Sequence, residues 1–182
     1  MPGPRRTLTT LAVTACCTVA AGAGAPTASA DRVSDKAVSW GLSQVGTRED
    51  GTTNCSSKLN AWSRNMRLNV PPCRPWCGAF VHEAFRRAGV DLSPRLIDPT
   101  RTERDAAAGQ RGLFTIAKSD VRPGDLLLFA LHRGQSTASH IALVTSRPSG
   151  GSVRTVEGNV AHAVRKKTRG LRYAVMAVRV RR

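Results

Sequence analysis

A chain of 182 residues with 28 Lys and Arg against 12 Asp and Glu carries a formal charge of +16, and only 4% of it is aromatic. That length fits one domain with enough chain for a sizeable core, so no dense disulfide framework is needed. The charge implies an anionic partner or surface. No aromatic-rich strand or recognition-helix motif accompanies it, which argues against nucleic acid.

Residues 1 to 30 open with Arg5 and Arg6, run through an apolar stretch from Leu8 to Ala25 and close on "ASA", the layout of a secretory signal peptide. The expected organisation is a signal peptide over 1–30 and a single catalytic-sized domain over 31–182. Val13 to Cys16 also resembles a lipobox, which would give a lipoprotein anchored at Cys16, and the Arg pair loosely resembles a twin-arginine export signal. The run from Arg6 to Cys16 is short for a lipoprotein signal, which favours cleavage after Ala30 and a secreted or cell-wall-associated product. A membrane span is disfavoured, because the stretch is rich in Thr, Gly and Ala. Removing Arg5 and Arg6 with the signal leaves 26 basic and 12 acidic residues, a formal charge of +14. An anionic cell envelope suits that charge in an exported protein. The basic residues are expected to be spread along the chain, as in "RKKTRG" from Arg165 and "RVRR" from Arg179, rather than gathered at a site.

Apolar residues at Val33, Ala37, Val38, Leu42 and Val45 recur at helical spacing and predict an amphipathic helix over 32–45, ended near Gly46. A polar stretch with Asp50, Gly51 and Asn54 follows, then a shorter helical piece around Ser57 to Ser63. Prolines 71, 72 and 75 forbid helix before Trp76. After them Phe80, Val81, Ala84, Phe85 and Ala88 form a stripe, with Gly89 as the stop. From Asp91 to about Asp120 the chain reads as a charged loop, helical at most over Asp105 to Gln110. "RPGDLLLFA", "HIALVTS", "VRTVEGN" and "RYAVMAVRV" then follow as strands separated by turn residues. Helices first and a mostly antiparallel sheet after is the α+β pattern.

Three cysteines remain beyond the signal, an odd number for an oxidising compartment. Cys73 lies in the proline segment and bridges most naturally to Cys55, leaving Cys77 as the free thiol. Cys77 opens the helix, where the macrodipole and unpaired amides favour a nucleophilic thiolate; a buried structural thiol is the other reading of that position. Zinc held by Cys73, Cys77 and His82 is disfavoured, since His82 points about 140° from Cys77 around the helix at 100° per residue. A thiolate needs a base, and the base an orienting partner. His140 begins an apolar strand that can aim its ring, whereas His82, His132 and His162 are expected on solvated surfaces. Glu157 and Asn159, two apart at the next strand's end, would share one face and reach the imidazole.

The segments "WSRNMRLNVPPCRPWCGAFVHEAFRRAG", "RPGDLLLF", "SHIALV" and "VEGN", in this order, resemble the CHAP domain, the cysteine- and histidine-dependent amidohydrolase/peptidase family related to the NlpC/P60 enzymes. The resemblance implies a papain-like α+β fold with the cysteine helix packed on an antiparallel sheet. It implies Cys77 as nucleophile, His140 as general base, Glu157 as the group orienting the imidazole and Asn159 as a further polar member. Ser139 stands where the family often has Gly, and the Cys55/Cys73 pair is absent from many members. No cofactor and no metal are expected; "REDGTTN" offers too few carboxylates for calcium. The implied activity is hydrolysis of a peptidoglycan amide, at the muramic acid to stem-peptide bond or within the peptide bridge. The expected partners are peptidoglycan and anionic wall polymers, met by a monomer. A catalytically inert wall-binding or interaction protein on the same fold is the alternative.

Overall fold

Helix α1, Ala28–Ser43, ends just before Gly46, whose φ of 93° turns the chain. The structure, a computed structural model, describes residues 3, 28–67, 72–132 and 134–181. The signal-peptide reading, including Cys16 and the run from Leu8 to Ala25, therefore lies outside the described residues except where α1 begins. Among those described, no helix is long and apolar enough to cross a membrane.

The second helix, α2 (Ser57–Asn65), starts at Ser56, whose hydroxyl accepts the Leu59 amide at 3.2 Å and so satisfies a first-turn donor. Helix α3, Cys77–Arg87, is buried from Cys77 through Phe85, so it is a core helix and not a surface one. His82, expected on the surface, is fully buried in it and bonds the Leu92 carbonyl from Nε2 at 3.1 Å. Glu83 is buried there too, held by Arg86, Arg87 and Asn65.

The segment after α3 corrects the loop expectation. It contains a 3-10 turn at Pro94–Ile97, helix α4 over Pro99–Ala107, and strand β1 over Leu113–Ile116. Asp98 caps α4 by accepting from the Thr100 and Arg101 amides, and Pro99 follows at the first helical position. The charges that gave this stretch its loop-like look are partly internal: buried Asp105 pairs with Arg95 and Arg111.

The remaining strands are β2 (Leu126–Phe129), β3 (His140–Val144), β4 (Ser152–Val160), β5 (Ala163–Gly170) and β6 (Ala174–Val180). They form one antiparallel sheet in the order β1-β6-β2-β3-β4-β5. Strand β5 is the second correction, because the run from Arg165 to Gly170 is not among the strands expected from the sequence. Leu126 and Leu128 join the helix-side core, while Leu127 and Phe129 join a second cluster with Ala142, Val144 and Val153. Burial on both faces explains why β2 reads as a continuous apolar run.

Glycine decides how closely α3 meets β4. A Cβ at Gly158 would stand 2.6 Å from the Phe80 Cβ and 2.8 Å from the Trp76 ring. Around that contact Trp40, Trp62, Trp76 and Phe80 form an aromatic cluster with centroids 5.5 to 6.0 Å apart.

Candidate active site

Cys77 is the first residue of α3 and retains 3% of its surface. Unlike α2 and α4, this helix has no side-chain cap: Trp76 holds the N-cap position and makes no capping bond. The first-turn amides thus keep their donor capacity beside the sulfur. Cys55 and Cys73 are bonded to each other across 18 residues, and Cys77 is a free thiol.

His140, the first residue of β3, is 4% exposed. It donates from Nε2 to Glu157 Oε2 at 2.9 Å, which leaves Nδ1 as the nitrogen free to meet Cys77. Burial pulls its pKa down, but the bonds to Cys77 and Glu157 and their negative charge outweigh burial and raise it to about 9. The ring is therefore an imidazolium over a wide pH range.

Glu157 is fully buried, and its two oxygens receive four donors. Oε1 accepts from Thr155 Oγ1 at 2.5 Å and Arg169 Nε at 2.8 Å; Oε2 accepts from His140 Nε2 and from Arg169 Nη2 at 2.5 Å. A carboxylate has about four lone-pair sites, so this one is saturated. Burial pushes its pKa up, but the Arg169, His140 and Thr155 bonds prevail and hold it at about 2. A saturated carboxylate with that pKa stays ionised at neutral pH. It can only hold the ring that faces it.

Arg169 is not singled out by the sequence, where it lies inside the basic run that starts at Arg165. Strand β5 turns it inward, with its guanidinium 5.1 Å from the Phe129 ring centroid and bidentate on Glu157. The usable signal was alternation: Arg165, Lys167 and Arg169 share one face of a strand. Thr155, also missed, sits two residues before Glu157 on the same face. Asn159, expected on that face, is only half-buried and makes no bond to His140. The pairing of β4 with β5 shifts between Glu157 and Val160, and Asn159 adopts φ 61°, so the two-residue alternation fails there. His132 is exposed, as expected, and His162 is half-exposed but pairs with buried Glu49 at the β4–β5 turn. Among the described residues, no group of three or more His, Cys, Asp and Glu is placed to hold a metal ion.

This is a papain-like α+β arrangement, and it is shared with solved NlpC/P60 structures. The peptidoglycan hydrolase RipB from Mycobacterium tuberculosis superposes with a TM-score of 0.51 at 16% identity, over 87% of this chain and 69% of that one. The P60 domain of an antigen from M. avium paratuberculosis gives 0.50 at 15% identity, over 85% and 96%. A lipoprotein-like NLP/P60 protein from Staphylococcus aureus gives 0.50 at 15% identity, over 84% of this chain. The chain spans 42% of that staphylococcal protein and 39% of an NlpC/P60 protein from Bacillus cereus. No protein-family model matches the sequence, and no curated protein matches it either. At these identities the likeness is one of fold.

Proposed function

We propose that the chain is a secreted cysteine hydrolase that cleaves an amide bond of bacterial peptidoglycan, with its mature form starting at Asp31 and the CHAP-like residues Cys77, His140 and Glu157 as its machinery. The observation that carries this reading is the chain of contacts from Cys77 at the uncapped mouth of α3, through His140, to a carboxylate saturated by four donors. A structural thiol needs none of this. Fold likeness to a peptidoglycan hydrolase and the formal charge of +14 left after removing Arg5 and Arg6 support the choice of substrate.

In this mechanism the Cys77 thiolate attacks the amide carbonyl carbon, and the first-turn amides of α3 stabilise the tetrahedral oxyanion. His140 gives its Nδ1 proton to the leaving amine as the C–N bond breaks, which leaves a thioester on Sγ. The neutral ring then takes a proton from water, whose oxygen attacks the thioester and releases the acid. Throughout, Glu157 holds the Nε2–H so that Nδ1 faces the sulfur.

Digestion of purified peptidoglycan by the protein from Asp31 onward, with mass analysis of the fragments, tests the reading. New ends on the sugar identify an amidase, and new peptide ends an endopeptidase. Cys77→Ala and His140→Ala should abolish cleavage without altering thermal unfolding, while Glu157→Gln keeps residual activity. Undiminished turnover in Cys77→Ala overturns the proposal. Slow alkylation of Cys77 by iodoacetamide at neutral pH would favour the inert wall-binding alternative.

A further inference from the structure

A cleft of about 330 Å³ opens beside the site, between the end of α1 and strands β3, β4 and β5. Arg154 and Lys166 bring two cations to it, and Thr145 and Thr168 bring hydroxyls. Both cations are exposed, and neither takes part in an ion pair among the described residues. Local acids offer no relief. The β4–β5 ribbon holds one carboxylate, Glu157, and Arg169, His140 and Thr155 already saturate it.

The register concentrates the charge. Arg154 lies opposite Thr168 and Val156 opposite Lys166, so Arg154 and Lys166 are diagonal neighbours on one face. Like charges at such positions cost a sheet stability, and a bound anion removes that cost. A Lys-rich edge strand also protects a sheet from pairing with other chains, which would explain the lysines but not the walled cleft they line.

We propose that this cleft is an anion subsite that takes a phosphate carried on a sugar, as in a phosphate-bearing wall polysaccharide. Arg154, Lys166 and the hydroxyls of Thr145 and Thr168 offer more donors than the two oxygens of a carboxylate can use, and a phosphate monoester brings three oxygens. The volume suits a sugar-sized group and excludes a duplex, and no aromatic residue lines it to stack a base. Its lining holds no exposed apolar anchor for a membrane. Thr155 lines the cleft and also donates to Glu157, so the occupant sits one side chain from the group that orients His140. The biological source of the sugar phosphate rests on the wall-hydrolase reading; the site itself does not.

Calorimetric titration with glucose 1-phosphate, glucuronate and glucose tests the site. The protein from Asp31 onward is compared with Arg154→Gln/Lys166→Gln and with Arg32→Gln/Lys36→Gln, which removes equal charge elsewhere. Glucose 1-phosphate should bind the parent, weaken with added salt, and lose at least about tenfold in the cleft variant but little in the control, since only the cleft variant loses charge-assisted donors to the anion. Thermal unfolding of the cleft variant should match or exceed the parent's. Equal loss in both variants, or no binding by the parent, overturns the subsite, and glucuronate binding as tightly overturns its preference for phosphate. A parent protein that binds glucose 1-phosphate but cuts no peptidoglycan would sink the hydrolase reading and leave the cleft standing.

Discussion

Four donors on one carboxylate give Glu157 a defined part, and two of the four come from Arg169. Arg169 touches no reacting atom in the proposed mechanism, so it is a positioning residue that acts through Glu157 and His140. Arg169→Met should lower kcat roughly tenfold to a hundredfold with KM little changed, as removal of a supporting partner typically does. Arg169→Lys should recover part of kcat, because it restores charge but not the bidentate fork. Steady-state kinetics check this, and equal kcat loss in both variants with unchanged unfolding would contradict it. The pH dependence follows from the same contacts. His140 is raised from 6.5 to about 9, so its stabilising charge is fully present below 6.5 and lost as pH rises through 9. Glu157 is lowered from 4.5 to about 2, so its contribution is present above 4.5 and lost as pH falls through 2. The hydrolysis rate should therefore fall on the alkaline side with a midpoint near 9, where the imidazolium that protonates the leaving amine disappears. A pH-rate profile with an alkaline midpoint near 6.5 would refute it.

At the scale of elements, the proposed mechanism depends on how closely α3 approaches β4, and Gly158 sets that distance. Phe80 Cβ is tied to the helix backbone, so a methyl at Gly158 must move α3 as a body. Gly158→Ala should cost about 1–3 kcal/mol as overpacking does, and it should reduce kcat as Cys77 shifts from His140. Thermal unfolding and turnover measured together check this; a variant with the parent's midpoint and rate would show that the contact yields freely. The same scale holds the two elements hidden in the sequence. Helix α4 had its signals in Asp98 and Pro99, but charged neighbours whose partners lie elsewhere in the fold masked them. Strand β5 has five polar residues in a row from Arg165 to Arg169, and such a run becomes a strand only because β4 supplies its ladder.

For the molecule as a whole, the Cys55–Cys73 bond ties the start of α2 to the segment that leads into α3. Closing a loop of 18 residues stabilises by about 3 kcal/mol in the chain-entropy account. Cys55→Ser/Cys73→Ser should lower the unfolding midpoint by several degrees while Cys77 stays alkylatable. Non-reducing peptide mapping that placed Cys77 in a bridge would contradict the assignment. The charge is likewise a property of the whole fold. Arg179, in the terminal basic run, is spent on buried Asp125, and Arg169 on Glu157, whereas Arg154 and Lys166 remain available at the cleft.

The sequence by itself determined the helices around Cys77, four of the six strands and the Cys55–Cys73 pairing, and it singled out Cys77, His140 and Glu157 for the proposed machinery. Each of these rests on a local signal: apolar periodicity, proline and glycine punctuation, an odd cysteine count, or a histidine at a strand start. Only the tertiary structure decided that Arg169 and Thr155 bond Glu157, that Asn159 makes no bond to His140, that His82 is buried, and which cations meet in a cleft. The physical reason is that these outcomes depend on register. A shifted pairing between Glu157 and Val160 redirects Asn159, and the pairing of β4 with β5 brings Arg169 across to Glu157. Register is a relation between two strands, and one strand's residues do not contain it.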